Sequence, residues 1–151
     1  KQLTKFYDQI SDVSGGFVYS ENGKSGIIDY YGNIKLQAEY DQILHLLHAY
    51  KDILVCKRDG LYGIIKTNGD IIIDCVFGKL SWFSKSGKYI IAKKKGSDYW
   101  GVIDIYNKTV ILDYEFDKIE FCSSGNEERE FILTEKNSSN VLYDMNGNKI
   151  C

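Results

Sequence analysis

The chain has 151 residues, 44% of them hydrophobic, and a formal net charge of −2. This length and apolar content suit one domain with a substantial core or a short array of repeats, and they argue against a disordered chain. The charge supplies no concentrated positive potential for nucleic acids or anionic membranes, and no stretch reaches the ~18 to 20 apolar residues of a membrane span. We therefore expect neither a nucleic-acid partner nor membrane insertion.

In chain order, the first three predicted strand segments recur along the rest of the sequence. An aromatic-Asp-x-aliphatic segment at 6–10 precedes an apolar strand at 16–19 and the glycine strand Gly26-Ile27-Ile28-Asp29. The later copies of these segments lie at 39–43, 53–56 and 63–66, at 76–80, 89–92 and 101–104, and at 115–119, 131–134 and 141–144. A period of about 37 to 40 residues indicates tandem repeats.

Turn residues separate these segments at constant offsets. Gly32, Gly69 and Gly147 follow the glycine strands, with Asn107 in the third copy, and Gly and Asn are the residues that adopt positive φ at least cost. Ile, Val, Tyr and Phe dominate the segments themselves, which favours strands. The exception is 42–50, a short stretch with helix-like spacing.

Together the segments predict an all-β fold, a tandem repeat of about four antiparallel β-meander units. Neighbouring repeats must cover the apolar faces that one hairpin leaves open. We expect one domain over 1–151, with repeats at about 16–50, 51–85 and 86–125 and a fourth split between 126–151 and 1–15. An open, spiral or solenoid-like stack is expected; the alternative is a closed, propeller-like ring completed by the N-terminal segment.

The repeat resembles the WG-repeat (WG or KWG beta repeat) family of bacterial proteins. Tyr99-Trp100-Gly101-Val102-Ile103-Asp104 carries the naming dipeptide, and Tyr62-Gly63 is a variant of it. Ser25 and Asn140 replace the tryptophan elsewhere, and Val141 replaces the glycine. The resemblance implies an all-β repeat protein of bacterial origin that mediates interactions. It implies no catalytic activity common to the family.

Two series of residues recur at fixed repeat positions. Aromatic side chains at one position are expected to fill the core: Tyr7, Tyr40, Phe77 and Phe116. Asp29, Asp104 and Asp144 end their glycine strands, and we expect Asx-turn hydrogen bonds there rather than calcium ligation, because the Gly-rich calcium nonapeptide of β-rolls is absent.

No motif supports catalysis. His45 and His48 are the only histidines; on a helix they would share a face, but no HExxH or third ligand accompanies them. A cysteine–histidine dyad involving Cys56 or Cys75 is the enzyme alternative, ranked third. We expect no catalytic site, cofactor or metal.

Recognition in repeat proteins resides where the copies differ. The candidate partner-binding residues are His45, Leu46, Leu47, His48, Trp82, Phe83 and Phe121. The expected function is a non-catalytic scaffold that binds another protein through variable loops. The alternative is a glycan or surface-polymer binding module that uses Tyr30, Tyr31 and Tyr106. The oligomeric state is not indicated.

The four cysteines, Cys56, Cys75, Cys122 and Cys151, form no CxxC pair, which argues against a zinc knuckle or a redox motif of that type. Cys56 and Cys75 lie in apolar strand patterns, where a thiol behaves as a small hydrophobe. A bacterial cytoplasm is therefore favoured. Because the sequence begins at Lys1 rather than Met, a secreted or surface protein with an inter-strand disulfide is the alternative.

Overall fold

The computed structural model describes residues 7–45, 52–124 and 129–151. Over these residues the chain is all-β, with fourteen strands, antiparallel pairing and no helix, so the predicted fold class is confirmed. The strands are β1 Gln9–Val13, β2 Gly16–Glu21, β3 Lys24–Asp29, β4 Ile34–Tyr40, β5 Gln42–His45, β6 Ile53–Arg58, β7 Leu61–Lys66, β8 Ile71–Phe83, β9 Tyr89–Lys94, β10 Trp100–Asp104, β11 Thr109–Phe116, β12 Lys118–Ser123, β13 Glu130–Lys136 and β14 Ser139–Tyr143. The helix-like interpretation of 42–50 is wrong for Gln42–His45, which forms β5; the rest of that stretch lies outside the described residues.

The chain divides into two compact units, Lys1–Val76 and Phe77–Cys151, and β8 crosses the boundary. The first unit contains the sheet β1-β2-β3-β4 and the neighbouring strands β5, β6 and β7 with the first part of β8. The second contains the rest of β8 beside β9, β10 and β11, and the sheet β12-β13-β14. The predicted single domain and the choice between an open stack and a closed ring stay predictions.

The strand pairing also sets the phase of the repeat. β1, β5 and β12 each begin directly after the Asp of an aromatic-Asp pair, about one strand before the predicted repeat boundaries. At the chain ends, β1 pairs with β2, and the backbone N–H of Ile150 donates to Leu142 O in β14 at 2.8 Å. Both terminal segments therefore pair with strands that are close in sequence.

Tight turns follow from the residues that can take positive φ. Asn22-Gly23 joins β2 to β3 with φ of 53° and 73°, and Asp59-Gly60 joins β6 to β7 with 54° and 78°. Two consecutive residues with positive φ match the type I′ turn, whose twist suits a two-residue hairpin. These turns set the register of the hairpins.

The glycine of the repeat lies where the next strand passes directly over it. A Cβ atom on Gly26 would be 2.5 Å from Leu36 O and 2.8 Å from Ala38 N. Around this point β4 advances four residues, from Leu36 to Tyr40, while β3 advances two, so β4 bulges over the glycine. Glycine inside a strand marks such a close approach of backbone.

The same contact recurs at the other two repeat glycines. On Gly63 a Cβ would lie 2.7 Å from Ile73 O and 2.8 Å from Cys75 N, and on Gly101 it would lie 2.8 Å from Leu112 O. Because any side chain would displace main-chain atoms, all three sites admit glycine alone without a shift of the next strand.

Each unit has a hydrophobic core built from the inward faces of its strands. The first core includes Val13, Val18, Ile27, Tyr40, Ile43, Leu54, Cys56 and Ile65; the second includes Tyr89, Ile91, Val102, Leu112, Phe116, Ile119 and Ile132. The predicted aromatic row is confirmed as buried for Tyr40, Phe77 and Phe116. Tyr7 is half-buried, with its ring centroid 4.7 Å from that of Tyr19.

We expect Gly26→Ala to lower the free energy of unfolding by about 3 kcal/mol, because the added methyl group overlaps the β4 backbone. Gly60→Ala is the control: it has open space around the Cβ position and a φ of 78°, so only the left-handed backbone costs about 1 kcal/mol. Urea unfolding followed by circular dichroism measures both. Equal losses in the two variants would contradict the close approach at Gly26.

Candidate functional site

The glycine strand of the first repeat ends in an aspartate that organises the next turn. Asp29 Oδ1 accepts hydrogen bonds from the backbone N–H groups of Tyr31 at 2.9 Å and Asn33 at 2.8 Å. Asn33 Nδ2 also donates to Asp29 Oδ2 at 2.9 Å, and Lys35 Nζ lies 3.3 Å from the same oxygen. The carboxylate of Asp29 thus accepts hydrogen bonds from two backbone N–H groups and forms an ion pair with Lys35.

The third and fourth repeats reproduce this arrangement. Asp104 accepts from the backbone and side chain of Asn107 at 3.0 and 2.8 Å. Asp144 accepts from the backbone and side chain of Asn148, both at 2.8 Å. The predicted Asx turns are confirmed at all three aspartates.

The second repeat keeps the turn with different residues. Lys66 replaces the aspartate there, and the two polar residues of the turn are Asn68 and Asp70, which come two and four residues after Lys66. Asn68 Oδ1 accepts from the backbone N–H of Asp70 at 3.0 Å, and Asn68 Nδ2 donates to Asp70 Oδ2 at 2.9 Å. The turn therefore depends on an Asx hydrogen bond rather than on an aspartate at one position.

These contacts change the acidity of the turn aspartates. Hydrogen bonds from the Asn33 side chain and backbone, followed by those from Lys35 and Tyr31, hold the pKa of Asp29 at about 2. Burial pushes the pKa of Asp104 upward, but hydrogen bonds from Asn107 and Lys88 outweigh it, so its pKa is also lowered. Both groups are therefore carboxylates at neutral pH and are occupied in holding turns.

The structure describes only part of the predicted binding surface. Leu46, Leu47 and His48 lie outside the described residues, and only the backbone of His45 and Trp82 is described, in β5 and β8. Phe83 is half-buried. Phe121 is partly buried and packs against the core of the second unit. It therefore contributes to core packing in addition to any role at a binding surface. The binding roles of all seven residues stay predictions.

Exposed aromatic residues gather at the first glycine turn. Tyr30 is 55% and Tyr31 86% exposed, and Ile34 is 45% exposed. The Tyr30 ring lies edge-on to Phe17 at 5.3 Å, and its hydroxyl donates to Val13 O at 3.3 Å. Phe17 and Ile34 are both cross-strand partners of Ile28, so they share a face of the sheet. We call Phe17, Tyr30, Tyr31 and Ile34 the first-turn surface.

The tryptophan position of the repeat pairs with a lysine on the preceding strand. Lys93 Nζ lies 4.7 Å from the Trp100 ring centroid, and the two residues are direct cross-strand partners. Lys57 and Tyr62 repeat the pairing at 5.1 Å. Such cation–π contacts contribute about 0.5–1 kcal/mol at exposed sites. The repeat pattern along the sequence does not reveal this pairing, because the pairing depends on which residues face each other across strands.

A cleft of about 150 Å³ is described in the second unit, lined by Gly78, Lys79, Lys93, Lys94, Gly96, Ser97 and Asp98. It is smaller than the roughly 300–1,000 Å³ of sites that enclose small organic ligands. Lys79 and Lys93 are cross-strand partners, so two like charges face each other at this cleft. The described part of the chain shows no cluster of three or more residues suited to hold a metal ion, and no described helix could span a bilayer.

Comparison with known families locates the repeat. Residues 62–96 match the family described as WG containing repeat. This segment of the chain is similar to a WG-type repeat. The matched WG segment begins at Tyr62-Gly63, covers β7 to β9 and ends before Trp100-Gly101. Neither the curated proteins nor the solved structures gave a match.

We expect Asp29→Asn to remove an acid-sensitive contribution to stability. The pKa of this carboxyl is about 2 in the folded chain and 3.8 in its ordinary range, so its contribution is present above about pH 4 and is lost as the pH falls through 2. Urea unfolding at pH 7, 4 and 2 should show the gap between wild type and variant closing with acidity.

The matched control is Asp12→Asn on the exposed face of β1. A gap between wild type and Asp29→Asn that stays constant from pH 7 to pH 2 would show that the carboxylate charge does not hold the turn.

Proposed function

We propose that the chain is a non-catalytic WG-type repeat module that binds another protein through residues that differ between its repeats. The residues that recur at the same position in several repeats have structural roles. The repeat glycines lie under the next strand, and the turn aspartates are hydrogen-bonded within their own turns. Variation between the copies is therefore available for recognition, as in other repeat proteins.

The observation that carries this proposal is the first-turn surface. Tyr31 is 86% exposed, yet its backbone N–H is fixed by Asp29, so a large amphipathic side chain stands on an ordered turn. Tyrosine supplies contact area at low cost in conformational entropy, and it is enriched at the centres of protein interfaces. The other repeats present Thr67-Asn68, Ile105-Tyr106 and Met145-Asn146 at this place, so the aromatic pair is specific to the first repeat.

A glycan or surface polymer is the second candidate, because Tyr30, Tyr31 and Tyr106 are all exposed near glycine-type turns. The first-turn surface also contains the aliphatic Ile34 and the phenyl ring of Phe17. These add apolar area without hydrogen-bonding groups, which suits a protein interface better than a sugar. Protein binding is therefore the preferred proposal.

Replacing Tyr31 with a photo-crosslinking benzoylphenylalanine tests it in the full chain. Illumination in lysate of the source cells should give one discrete covalent adduct with a protein, identified by mass spectrometry. The same probe at Tyr99, which is 48% exposed in the second unit, is the control and should not give that adduct. Tyr31→Ser should then weaken binding of the purified partner by about tenfold, the loss of one interface anchor of ~1.4 kcal/mol.

The two candidates predict opposite results. Retention on a glycan array that is lost in Tyr31→Ser, with no protein adduct, would favour the glycan module. The same adducts from both probe positions would contradict a specific surface at the first turn.

A further inference from the structure

Two sulfur atoms meet inside the first unit. Cys56 lies in β6 and Cys75 in β8, and their Sγ atoms are 3.5 Å apart with both thiols free. Cys75 Sγ is also 3.9 Å from Cys56 O. The two strands flank β7 in the sheet order, so the sulfurs meet across an intervening strand.

The absence of a side chain at Gly63 makes this meeting possible. Gly63 is the direct cross-strand partner of Cys56 in β7. On its other side, β8 passes so close that Cys75 N would lie 2.8 Å from a Cβ on Gly63. Gly63 therefore lies between the two cysteines, and because it has no side chain, their sulfur atoms can approach each other.

The two thiols differ in access. Cys56 is 1% exposed, whereas Cys75 is partly exposed. Burial raises the pKa of both thiols, and the proximity of Cys75 adds to the effect on Cys56. Arg58 lies close enough to lower the pKa of Cys75, and Asp74, 3.5 Å from the Arg58 guanidinium, opposes it. The Tyr40 ring lies 5.2 Å from Arg58 and borders the same site.

The equivalent positions in the other repeats hold no such pair. Around Gly26 they are Tyr19 and Ala38, and around Gly101 they are Ala92 and Tyr114. Cysteine occupies both positions only in the repeat that contains Gly63. The remaining cysteines belong to the second unit: Cys122 Sγ lies 3.8 Å from Phe131 O, and Cys151 is exposed.

We propose that Cys56 and Cys75 form a reversible disulfide with a low-molecular-weight disulfide, such as oxidised glutathione, as the oxidant. Cys75 reacts with the oxidant first, because Cys75 is partly exposed whereas Cys56 is buried. The bond would covalently join β6 to β8 across β7.

The exchange proceeds in two balanced steps. The Cys75 thiolate attacks one sulfur of oxidised glutathione, which breaks the glutathione S–S bond, forms a mixed disulfide on Cys75 and releases one glutathione thiolate. Deprotonated Cys56 then attacks the Cys75 sulfur, forms the Cys56–Cys75 bond and releases the second glutathione thiolate. The two thiol protons end on the two released glutathiones, which receive both electrons. Because thiolate is the reacting form, the rate should rise from pH 7 to pH 9.

Oxidation of the folded 151-residue chain in glutathione buffers tests the proposal. After acid quenching and alkylation, peptide mass spectrometry should find a Cys56–Cys75 linked peptide that is two hydrogens lighter than its reduced parts, and dithiothreitol should reverse it. The thermal midpoint of the oxidised wild type should rise, because the link constrains the unfolded chain. Cys122→Ser is the matched control and should behave as wild type.

Single variants test the order of the steps. Cys56→Ser should stop at the mixed disulfide, with glutathione retained on Cys75. Cys75→Ser should leave Cys56 as a free thiol under the same conditions, with circular dichroism confirming that each variant is folded. The proposal is overturned if Cys56 and Cys75 of the folded wild type both stay reduced at fully oxidising ratios, or if the linked peptides contain Cys122 or Cys151 instead.

Discussion

The fold depends on one steric constraint: at three repeat positions, the main chain of a following strand occupies the volume that a side chain would need. Gly26, Gly63 and Gly101 lie against backbone atoms of residues ten to twelve positions later in the sequence. This contact bends β4, β8 and β11 over the glycine strands and, at Gly26 and Gly101, coincides with a break in register. A sheet bent in this way can close over its own apolar face, which a flat meander cannot do.

The residues that flank the repeat glycine differ between the three repeats. Tyr19 opposes Gly26, with Ala38 beyond it, whereas Ala92 opposes Gly101, with Tyr114 beyond it. Two cysteines flank Gly63. The steric constraint at the glycine is therefore shared, and only the cysteine pair adds thiol chemistry to it.

Much of the fold could be read from the sequence because it depends on local residue properties. The apolar segments, the turn glycines and the turn aspartates predict strands and Asx turns, and these occur at Asp29, Asp104 and Asp144. The repeat boundaries stay a prediction, because the phase of the repeat depends on which strands exchange hydrogen bonds. The role of the repeat glycines was also missed: a φ-based argument explains Gly32 and Gly69, but Gly63 is required by a contact with Cys75, twelve residues later.

The candidate binding surface was only partly predictable. The place of Tyr30 and Tyr31 near a turn suggests sugar binding as an alternative, whereas their combination with Phe17 and Ile34 depends on strand register. The contact between the Cys56 and Cys75 sulfur atoms could not be predicted from the sequence either. The two cysteines are nineteen residues apart and come together because β8 passes over Gly63. In each case a sequence pattern identifies the residue, and a cross-strand contact determines what it does.

Nuclear Overhauser spectroscopy of the folded chain tests the central constraint directly, since it reports proximity without a substitution. Cross-peaks are expected from the Hα protons of Gly63 to the amide proton of Cys75, and from those of Gly26 to the amide proton of Ala38. If these cross-peaks are missing while the β2–β3 and β6–β7 cross-peaks are present, the hairpins form without the close passage of the next strand, and the account of the repeat glycines is wrong.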